Sequence, residues 1–281
     1  MQRHDDRHPH KRIILALDVD SIEKADELVG ELSEYVGYFK IGLEFIHVML
    51  NALINDRGSH ITCQRLLREL SGRIMWDGKF HDIPNTVGGA TRATSRQLEA
   101  HMLTIHASGG IEMIRAAVAN KGKMLVLGVT VLTSIKDRPA NEAQHVAGTE
   151  YCSDIYSAQS DNRVAYFAQR LIEAGADGIV CAPRDLDALA RTLKGDFKKL
   201  LKVVPGTRSD GVPTHDQARP ETPRYAILHG ADYLVIGRQI TGATNRFSAA
   251  ERLAEEIGEA ALERARLEDD DTDRAPPVHL K

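Results

Sequence analysis

The chain has 281 residues, of which 42% are hydrophobic and 27% are charged, a composition typical of a folded globular protein. This length fits one barrel or one large α/β domain, with a core that needs no disulfide staples. The net charge of −4 argues against nucleic acid or an anionic membrane as a partner, and no apolar run approaches the roughly 18 residues of a membrane span.

The two ends of the chain are polar. Residues 1–11 lack the apolar core of a secretory signal and predict a disordered lead-in, and the stretch 267–281 predicts an acidic disordered tail. The three cysteines, Cys63, Cys152 and Cys181, include no C-x-x-C pair, so neither a disulfide framework nor a zinc site is expected. These features predict a cytoplasmic protein.

Short apolar runs alternate along the chain with longer amphipathic stretches. The short runs predict eight β-strands, at 13–17, 38–42, 73–76, 101–106, 124–131, 178–181, 201–204 and 233–236. The longer stretches predict helices at 22–32, 43–71, 85–98, 111–119, 163–174, 186–193, 222–228 and 247–265. The second helix contains a break near 55–59, and the polar stretch 136–160 predicts a long irregular loop.

This alternation predicts the fold class. Strand–helix units in strict succession favour a parallel sheet, and eight strands are the number that closes into a barrel. The predicted fold is therefore α/β, a single-domain (β/α)₈ or TIM barrel over residues 12–266. A doubly wound open sheet is the alternative, but no G-x-G-x-x-G follows the first predicted strand.

Polar side chains stand where the predicted strands end. In a (β/α)₈ barrel the carboxyl ends of the strands form the active-site face. A histidine at such a position is more often structural, and we interpret His106 in that way. The other residues at these ends predict an active site; they are Asp18, Lys40, Asp77, Lys79, Asp82, Thr133, Ser134, Arg208, Gly237 and Arg238.

The densest cluster is the segment from Asp77 to Asp82. In an extended segment, Asp77 and Lys79 point to the same side, because side chains alternate with a period of two. A lysine held among carboxylates stays protonated and is a positioned acid. Such a cation suits a reaction that expels a carboxylate and leaves a carbanion. The alternative is an ion pair that only orients a loop.

A second polar cluster follows the seventh and eighth predicted strands. The segments PGTR, ending at Arg208, and DQAR, which contains Gln217, precede the Gly237–Arg238 pair. In barrels the loops after these strands commonly bind a phosphate group through backbone N–H groups and a helix N-terminus. The guanidinium of Arg238 offers a fixed fork of donors to phosphate oxygens. Alternatively, the glycines are turn residues and Arg238 is a member of a surface ion pair.

These segments carry a family resemblance over roughly residues 12–245. The stretch DGKFHDIPNT, from Asp77 to Thr86, resembles the signature of the orotidine 5'-phosphate decarboxylases. Residues 51–64 and 136–160 exceed the compact pattern of that family. The D-x-K-x-x-D element is shared with related sugar-phosphate enzymes, whereas IPNT, DQ-x-R and IGR-x-IT are specific to the decarboxylases. Further matching segments are LALDVD, FKIGLE, GVTVLTS, PGTRSDG, HDQAR and GADYLVIGRQIT.

The resemblance implies roles around the reacting base. Lys79 would protonate C6 of the pyrimidine, and Asp77 would stand beside the substrate carboxylate. Asp18 and Lys40 would bind the ribose hydroxyls or order the charged network. Thr133, or the adjacent Ser134, would contact the pyrimidine ring.

The resemblance also implies a partner and a phosphate site. Asp82 and Thr86 would reach into the site of the neighbouring subunit, which would make the enzyme a homodimer. The substrate phosphate would be held by Arg208, Gln217, Gly237 and Arg238.

The implied reaction converts orotidine 5'-phosphate into uridine 5'-phosphate and carbon dioxide, a step of de novo pyrimidine biosynthesis. We find no motif for pyridoxal, thiamine, flavin or a metal, so neither cofactor nor metal is expected. One alternative is a magnesium-dependent relative, such as a 3-keto-gulonate 6-phosphate decarboxylase or a hexulose-phosphate synthase. Another is a nucleotide-binding regulatory protein on a decayed enzyme fold, against which the intact set of charged residues argues.

Overall fold

A computed structural model describes residues 8–139, 149–209 and 221–273. Within these residues the chain forms a closed barrel of eight parallel strands in sequential order. The pairing of the last strand with the first confirms the predicted barrel and excludes the open doubly wound sheet. The strands are β1 Ile13–Ala16, β2 Tyr38–Ile41, β3 Ile74–Phe80, β4 Met102–His106, β5 Leu125–Val129, β6 Gly178–Val180, β7 Leu201–Pro205 and β8 Tyr233–Ile236.

The α-helices pack their apolar faces against the outside of the barrel. In the described parts of the chain they are α1 Ile22–Leu32, α2 Leu43–Asn55, α3 Arg57–Glu69, α4 Pro84–Gln97, α5 Ile111–Asn120, α6 Cys152–Tyr156, α7 Ser160–Ala174, α8 Asp185–Leu193, α9 Pro223–Leu228, α10 Arg238–Thr241 and α11 Arg246–Asp273.

The buried apolar residues form two layers that follow the pleat of the strands. In β1, Ile14 and Ala16 belong to the cluster inside the barrel, whereas Ile13 and Leu15 pack against the helices. The inner cluster takes its other buried members from β3, β4, β5, β7 and β8. Because side chains alternate along a strand, Asp18, two residues after Ala16, also belongs to the inward-facing series of β1. The same periodicity therefore brings polar side chains to the carboxyl end of the barrel.

The predicted break near 55–59 is confirmed. Asp56 separates α2 from α3, and its side chain accepts hydrogen bonds from the backbone N–H groups of Gly58 (2.9 Å) and Ser59 (3.4 Å). A carboxylate in this position satisfies donors that the first turn of a helix leaves unpaired. The second predicted helix is therefore two helices.

The segment 136–160 is more regular than predicted. It contains α6, and α7 begins at Ser160 rather than at 163. The side chain of Asp137 accepts hydrogen bonds from the backbone N–H (2.7 Å) and hydroxyl (2.5 Å) of Ser160, which fixes the start of α7. The prediction of an irregular loop is therefore wrong for Cys152–Tyr156 and Ser160, and its part at 140–148 lies outside the described residues.

Two predictions about the ends of the chain also need correction. Residues Pro9–Arg12 form a 3-10 turn, so 9–11 of the predicted disordered lead-in are ordered. Helix α11 continues to Asp273, so the stretch 267–273 is helical rather than disordered. The predicted disorder of 1–7 and 274–281 falls outside the described residues.

Two ion pairs, one buried and one partly exposed, lie at the opposite end of the barrel from the predicted site. The ammonium of Lys202, at the start of β7, lies 3.0 Å from the carboxylate of Asp232, which precedes β8. Lys121 and Asp177 form a second pair (2.5 Å) before β6. In this fold, polar residues at the amino ends of the strands serve stability.

Two further properties concern the described residues as a whole. Cys63, Cys152 and Cys181 are buried and carry free thiols. No helix within the described ranges is long and apolar enough to cross a membrane.

Candidate active site

Lys40 and Asp18 meet at the carboxyl ends of the first two strands. Lys40 is aligned with Ala16 of β1, and Asp18 follows two residues later. The Nζ atom of Lys40 lies 2.8 Å from Oδ1 of Asp18. The Lys40 side chain is only 12% exposed, compared with 52% for Asp18, so the ammonium is the inner member of the pair.

Asp77 joins this pair to Lys79. Its Oδ2 atom lies 2.7 Å from Nζ of Lys79 and 3.6 Å from Nζ of Lys40. Asp18, Lys40, Asp77 and Lys79 therefore form a continuous network in which negative and positive groups alternate. The structure brings these four predicted site residues together, whereas their chemical roles stay predictions.

The environment of Asp77 keeps its carboxylate ionised. Burial by itself would raise the pKa of Asp77, which is 7% exposed. The ammonium groups of Lys40 and Lys79, together with hydrogen bonds from Lys79 and Thr104, outweigh burial and lower the pKa below its usual value. The Lys79 side chain is 30% exposed, so its ammonium stays accessible to a ligand.

The third strand continues further than predicted. The apolar run predicts an end at residue 76, whereas β3 extends to Phe80 and includes both Asp77 and Lys79. Lys79 has a φ of +47°, in the left-handed region that side-chain-bearing residues rarely adopt. The two side chains meet as predicted, but regular alternation along an extended strand does not account for it.

His106, at the end of β4, packs beside His81. Their ring centroids are 5.4 Å apart, and the rings are tilted by 50°. Burial, followed by the neighbouring His81 and Lys79, lowers the pKa of His106. These surroundings favour the uncharged form of the imidazole.

Asp82 and Thr86 lie on the outer surface of the site rather than within the charged network. The whole segment 81–86 is exposed, and Ile83 within it is 66% exposed. Asp82 accepts a hydrogen bond from the backbone N–H of Ile83 (2.6 Å). In the part of the chain that the structure describes, Lys79 forms its ion pair with Asp77 and not with Asp82.

The loops after β7 and β8 are joined to each other. Arg208 follows β7 and is buried, and its guanidinium donates to the carbonyl of Thr207 (2.8 Å). Gly237 precedes the exposed Arg238, which begins α10. The Gln239 side chain of α10 accepts from the backbone N–H of Ser209 (3.2 Å) and donates to its hydroxyl (2.6 Å). The two predicted phosphate loops therefore form one structural unit.

The two remaining predicted site residues are Thr133 and Gln217. Thr133 follows β5 and is exposed. Gln217 lies outside the described residues.

Three residues of the site were missed by the sequence analysis. Gly42 leaves space for the Lys40 ammonium, Thr104 hydrogen-bonds Asp77, and Gln239 joins the loops after β7 and β8. Thr104 had a detectable signal, because it is a polar residue at an inward position of the apolar run 101–106. Gln239 had none, because its partner Ser209 is remote in the sequence.

No group of three or more histidine, cysteine, aspartate or glutamate side chains in residues 8–139, 149–209 and 221–273 is arranged to hold a metal ion.

A closed parallel barrel with lysine–aspartate pairs at the carboxyl ends of its strands defines a (β/α)₈-barrel enzyme. A family model described as Orotidine 5'-phosphate decarboxylase / HUMPS family matches residues 11–253. The chain therefore belongs to the orotidine 5'-phosphate decarboxylase / HUMPS family.

Individual relatives agree with this assignment. The chain is 39% identical to an orotidine 5'-phosphate decarboxylase of Moorella thermoacetica, over 89% of this chain and 93% of that protein. It is 36% identical to one of Heliobacterium modesticaldum, over 90% and 98%. A crystal structure of the orotidine 5'-phosphate decarboxylase from Lactobacillus acidophilus matches with a TM-score of 0.65 and 26% identity, over 87% and 98%.

Proposed function

We propose that this chain converts orotidine 5'-phosphate into uridine 5'-phosphate and carbon dioxide, without a cofactor, and that Lys79 is the proton donor. The family and the names of the relatives support the substrate. The single observation that supports the chemistry is the 2.7 Å contact between Lys79 Nζ and the buried Asp77 carboxylate at the rim of the barrel.

The proposed step needs a cation at the reacting carbon. Cleavage of the bond between C6 and the carboxylate releases carbon dioxide and leaves the electron pair on C6. The Lys79 ammonium stabilises this developing charge, and its proton then forms the new C6–H bond. Solvent returns a proton to the lysine amine. A partly exposed ammonium that is held by one buried carboxylate suits this role.

Asp77 has two roles in this proposal. Its carboxylate fixes the Lys79 ammonium, and it places negative charge where the substrate carboxylate would bind. Lys40, held in turn by Asp18, keeps Asp77 ionised. Loss of carbon dioxide removes the substrate's charge from this position, so the repulsion is relieved as the bond breaks.

The remaining site residues receive proposed roles in binding. Arg208, Gly237 and Arg238 bind the phosphate, since the loops that carry them are joined through Ser209 and Gln239. Asp82 and Thr86 complete the site of a second subunit, which their exposure at the rim favours. Binding roles for Thr133, at the pyrimidine ring, and Gln217, at the phosphate, complete the proposal.

The test is the loss of orotidylate absorbance on mixing with purified, chelator-treated protein. Lys79→Ala should lower kcat by about 10³-fold or more while retaining binding of uridine 5'-phosphate in calorimetry. Lys24→Ala, which removes an exposed lysine paired with Asp20, is the matched control and should keep full activity. Near-normal turnover by Lys79→Ala would remove the lysine from the acid role.

The same assay separates the alternatives. Activity on sugar phosphates that requires added magnesium, without loss of orotidylate absorbance, would favour the related sugar-phosphate enzymes. Tight binding of nucleotide with no release of carbon dioxide would favour the regulatory protein.

A further inference from the structure

The backbone around the catalytic lysine is irregular. Strands β3 and β4 pair at Trp76–Leu103 and next at Phe80–Ile105. Residues 77–79 therefore lie opposite the single residue Thr104. Such a bulge interrupts the ladder of backbone hydrogen bonds and re-aims the side chains that it carries. Here it contains Lys79, whose φ of +47° a non-glycine residue keeps only where its surroundings hold it.

Thr104 makes hydrogen bonds to both functional residues of this bulge. Its hydroxyl accepts from the backbone N–H of Lys79 (3.0 Å) and donates to Oδ1 of Asp77 (2.8 Å). The side chain is fully buried, at 0% exposure. A hydroxyl has one proton to donate and lone pairs to accept with, so one threonine satisfies both groups.

The bond from Thr104 to Asp77 determines which carboxylate oxygen faces the lysines. With Oδ1 bound to Thr104, Oδ2 is directed to Lys79 Nζ at 2.7 Å and to Lys40 Nζ at 3.6 Å. The same hydroxyl holds the backbone from which the Lys79 side chain extends. Thr104 thus holds the Lys79 backbone and the Asp77 carboxylate from one point.

We propose that Thr104 is a positioning residue for the reaction, which sets the geometry of Lys79 relative to Asp77 through its hydroxyl. The proposal rests on the proposed function, because it assigns Thr104 to the same catalytic pair. Thr104 acts through Asp77 and Lys79 and does not itself need to contact the substrate.

The direct comparison is between Thr104→Val, which keeps the shape and removes the hydroxyl, and Thr104→Ser, which keeps the hydroxyl. Thr104→Val should lower kcat by about 10- to 100-fold with KM within about threefold, because misplacement of the acid costs this much. Thr104→Ser should restore most of the loss. Thr91→Val, which removes another fully buried threonine hydroxyl, bonded to the carbonyl of Val87, is the control and should leave kcat unchanged.

The pH profile separates positioning from a general loss of stability. Thr104→Val removes a hydrogen bond that lowers the pKa of Asp77, so the acid limb of kcat should move to higher pH. The charged and titratable groups facing Asp77 are Lys40 from β2, Lys79 on the same strand and His106 from β4, and the substitutions leave all three in place. Thr104→Ser and Thr91→Val should keep the wild-type profile.

Carboxyl-carbon NMR of Asp77 gives a readout that does not require turnover. The Asp77 titration should move to higher pH in Thr104→Val and stay in place in Thr104→Ser, even if the wild-type protein does not decarboxylate orotidylate. An inactive wild-type protein would overturn the proposed function. If Thr104→Val keeps the wild-type kcat and pH profile while Lys79→Ala is inactive, the role of Thr104 is refuted and the proposed function stands. If Thr104→Val does not fold, Thr104→Ala, which removes the same hydroxyl, takes its place, and the same results are expected.

Discussion

Gly42 leaves the space that the ammonium of Lys40 occupies, since a Cβ atom added at Gly42 would lie 2.7 Å from Lys40 Nζ. The same atom would lie 3.3 Å from Oδ1 of Asp18. The backbone of Gly42 has a φ of −99°, which any residue adopts without strain. Glycine is therefore required at this position by the charged network rather than by the turn.

The first prediction follows from this contact. Gly42→Ala should fold normally, because the nearest atom is the tip of a flexible side chain, but the Lys40 ammonium must leave its present position between Asp18 and Asp77. We expect kcat/KM for orotidylate to fall by about 10- to 100-fold, in line with the cost of misplaced charge in a site. Steady-state kinetics and a thermal melt measure the two effects separately.

The control for this change is Gly30→Ala. Gly30 lies in α1, and a Cβ atom added there meets no other atom within 4 Å. This variant should keep full activity and gain about 0.5–1 kcal/mol of stability, because alanine is the better helix former. Equal kcat/KM values for Gly42→Ala and the wild type would show that Lys40 does not support the reaction from its present position.

A second prediction concerns the proposed phosphate-binding loops after β7 and β8. Arg238→Ala should weaken binding of uridine 5'-phosphate by about 10- to 100-fold, the range expected for a lost hydrogen bond to a charged group. Binding of uridine, which lacks the phosphate, should change little. Arg191→Ala, an exposed arginine in the last turn of α8, is the control and should change neither. Calorimetric titrations with both ligands decide the point, and an equal loss for both would refute the assignment.

The third prediction tests whether two subunits share a site. If Asp82 serves the neighbouring subunit, Lys79→Ala and Asp82→Ala homodimers are both impaired, but a mixed dimer contains one intact site. Co-expression of the two variants should recover about a quarter of wild-type activity, because about half of the dimers are mixed and each has one restored site. Activity no higher than that of the separate variants would place Asp82 in its own subunit's chemistry or in none.

The sequence was sufficient to predict the barrel and the position of its charged residues. The hydrophobic period distinguishes the strands from the helices. In β1, every second side chain, Ile14 and Ala16, points into the barrel, so the same alternation places Asp18 on the inward side. A polar residue at a strand end therefore maps to one face of the barrel once the fold is known. Lys40 and Asp77 could be located by the same reasoning.

The details of the site depend on contacts between strands that no local pattern encodes. The left-handed backbone of Lys79 exists because β3 and β4 change register, and a register shift is a property of two strands together. Similarly, the hydrogen bonds between Ser209 and Gln239 join residues that lie in different loops. Sequence period predicts which face a side chain occupies, and tertiary packing decides which atom it contacts.

Asp185 provides a test of stability that is separate from the active site. It is 3% exposed at the start of α8, and its side chain accepts a hydrogen bond from the backbone N–H of Ala182 (2.9 Å). Burial, reinforced by the nearby Asp161 and Asp137 and opposed by the Ala182 bond and Arg184, raises the pKa of Asp185 to about 6. The folded protein thus holds this proton more tightly than the unfolded chain does.

The sign of the effect follows from that difference. The favourable contribution of protonated Asp185 is complete below the unfolded pKa of about 4 and is lost as pH rises through about 6. Asp185→Asn has no such ionisation, so its stability relative to the wild type should increase between pH 4.5 and pH 7.5. The expected gain is on the order of 2–3 kcal/mol, or roughly 5 °C in Tm.

Thermal melts of Asp185→Asn and the wild type between pH 4.5 and pH 7.5 test this fourth prediction through the difference in Tm. Asp196→Asn is the matched control, because Asp196 is exposed and its ion pair with Lys199 (2.7 Å) is of the surface kind that contributes about 0–1 kcal/mol. The difference in Tm between this control and the wild type should stay small throughout. If the difference in Tm between Asp185→Asn and the wild type does not change with pH, the carboxyl group of Asp185 is still protonated at pH 7.5 or its charge is balanced by a neighbouring group.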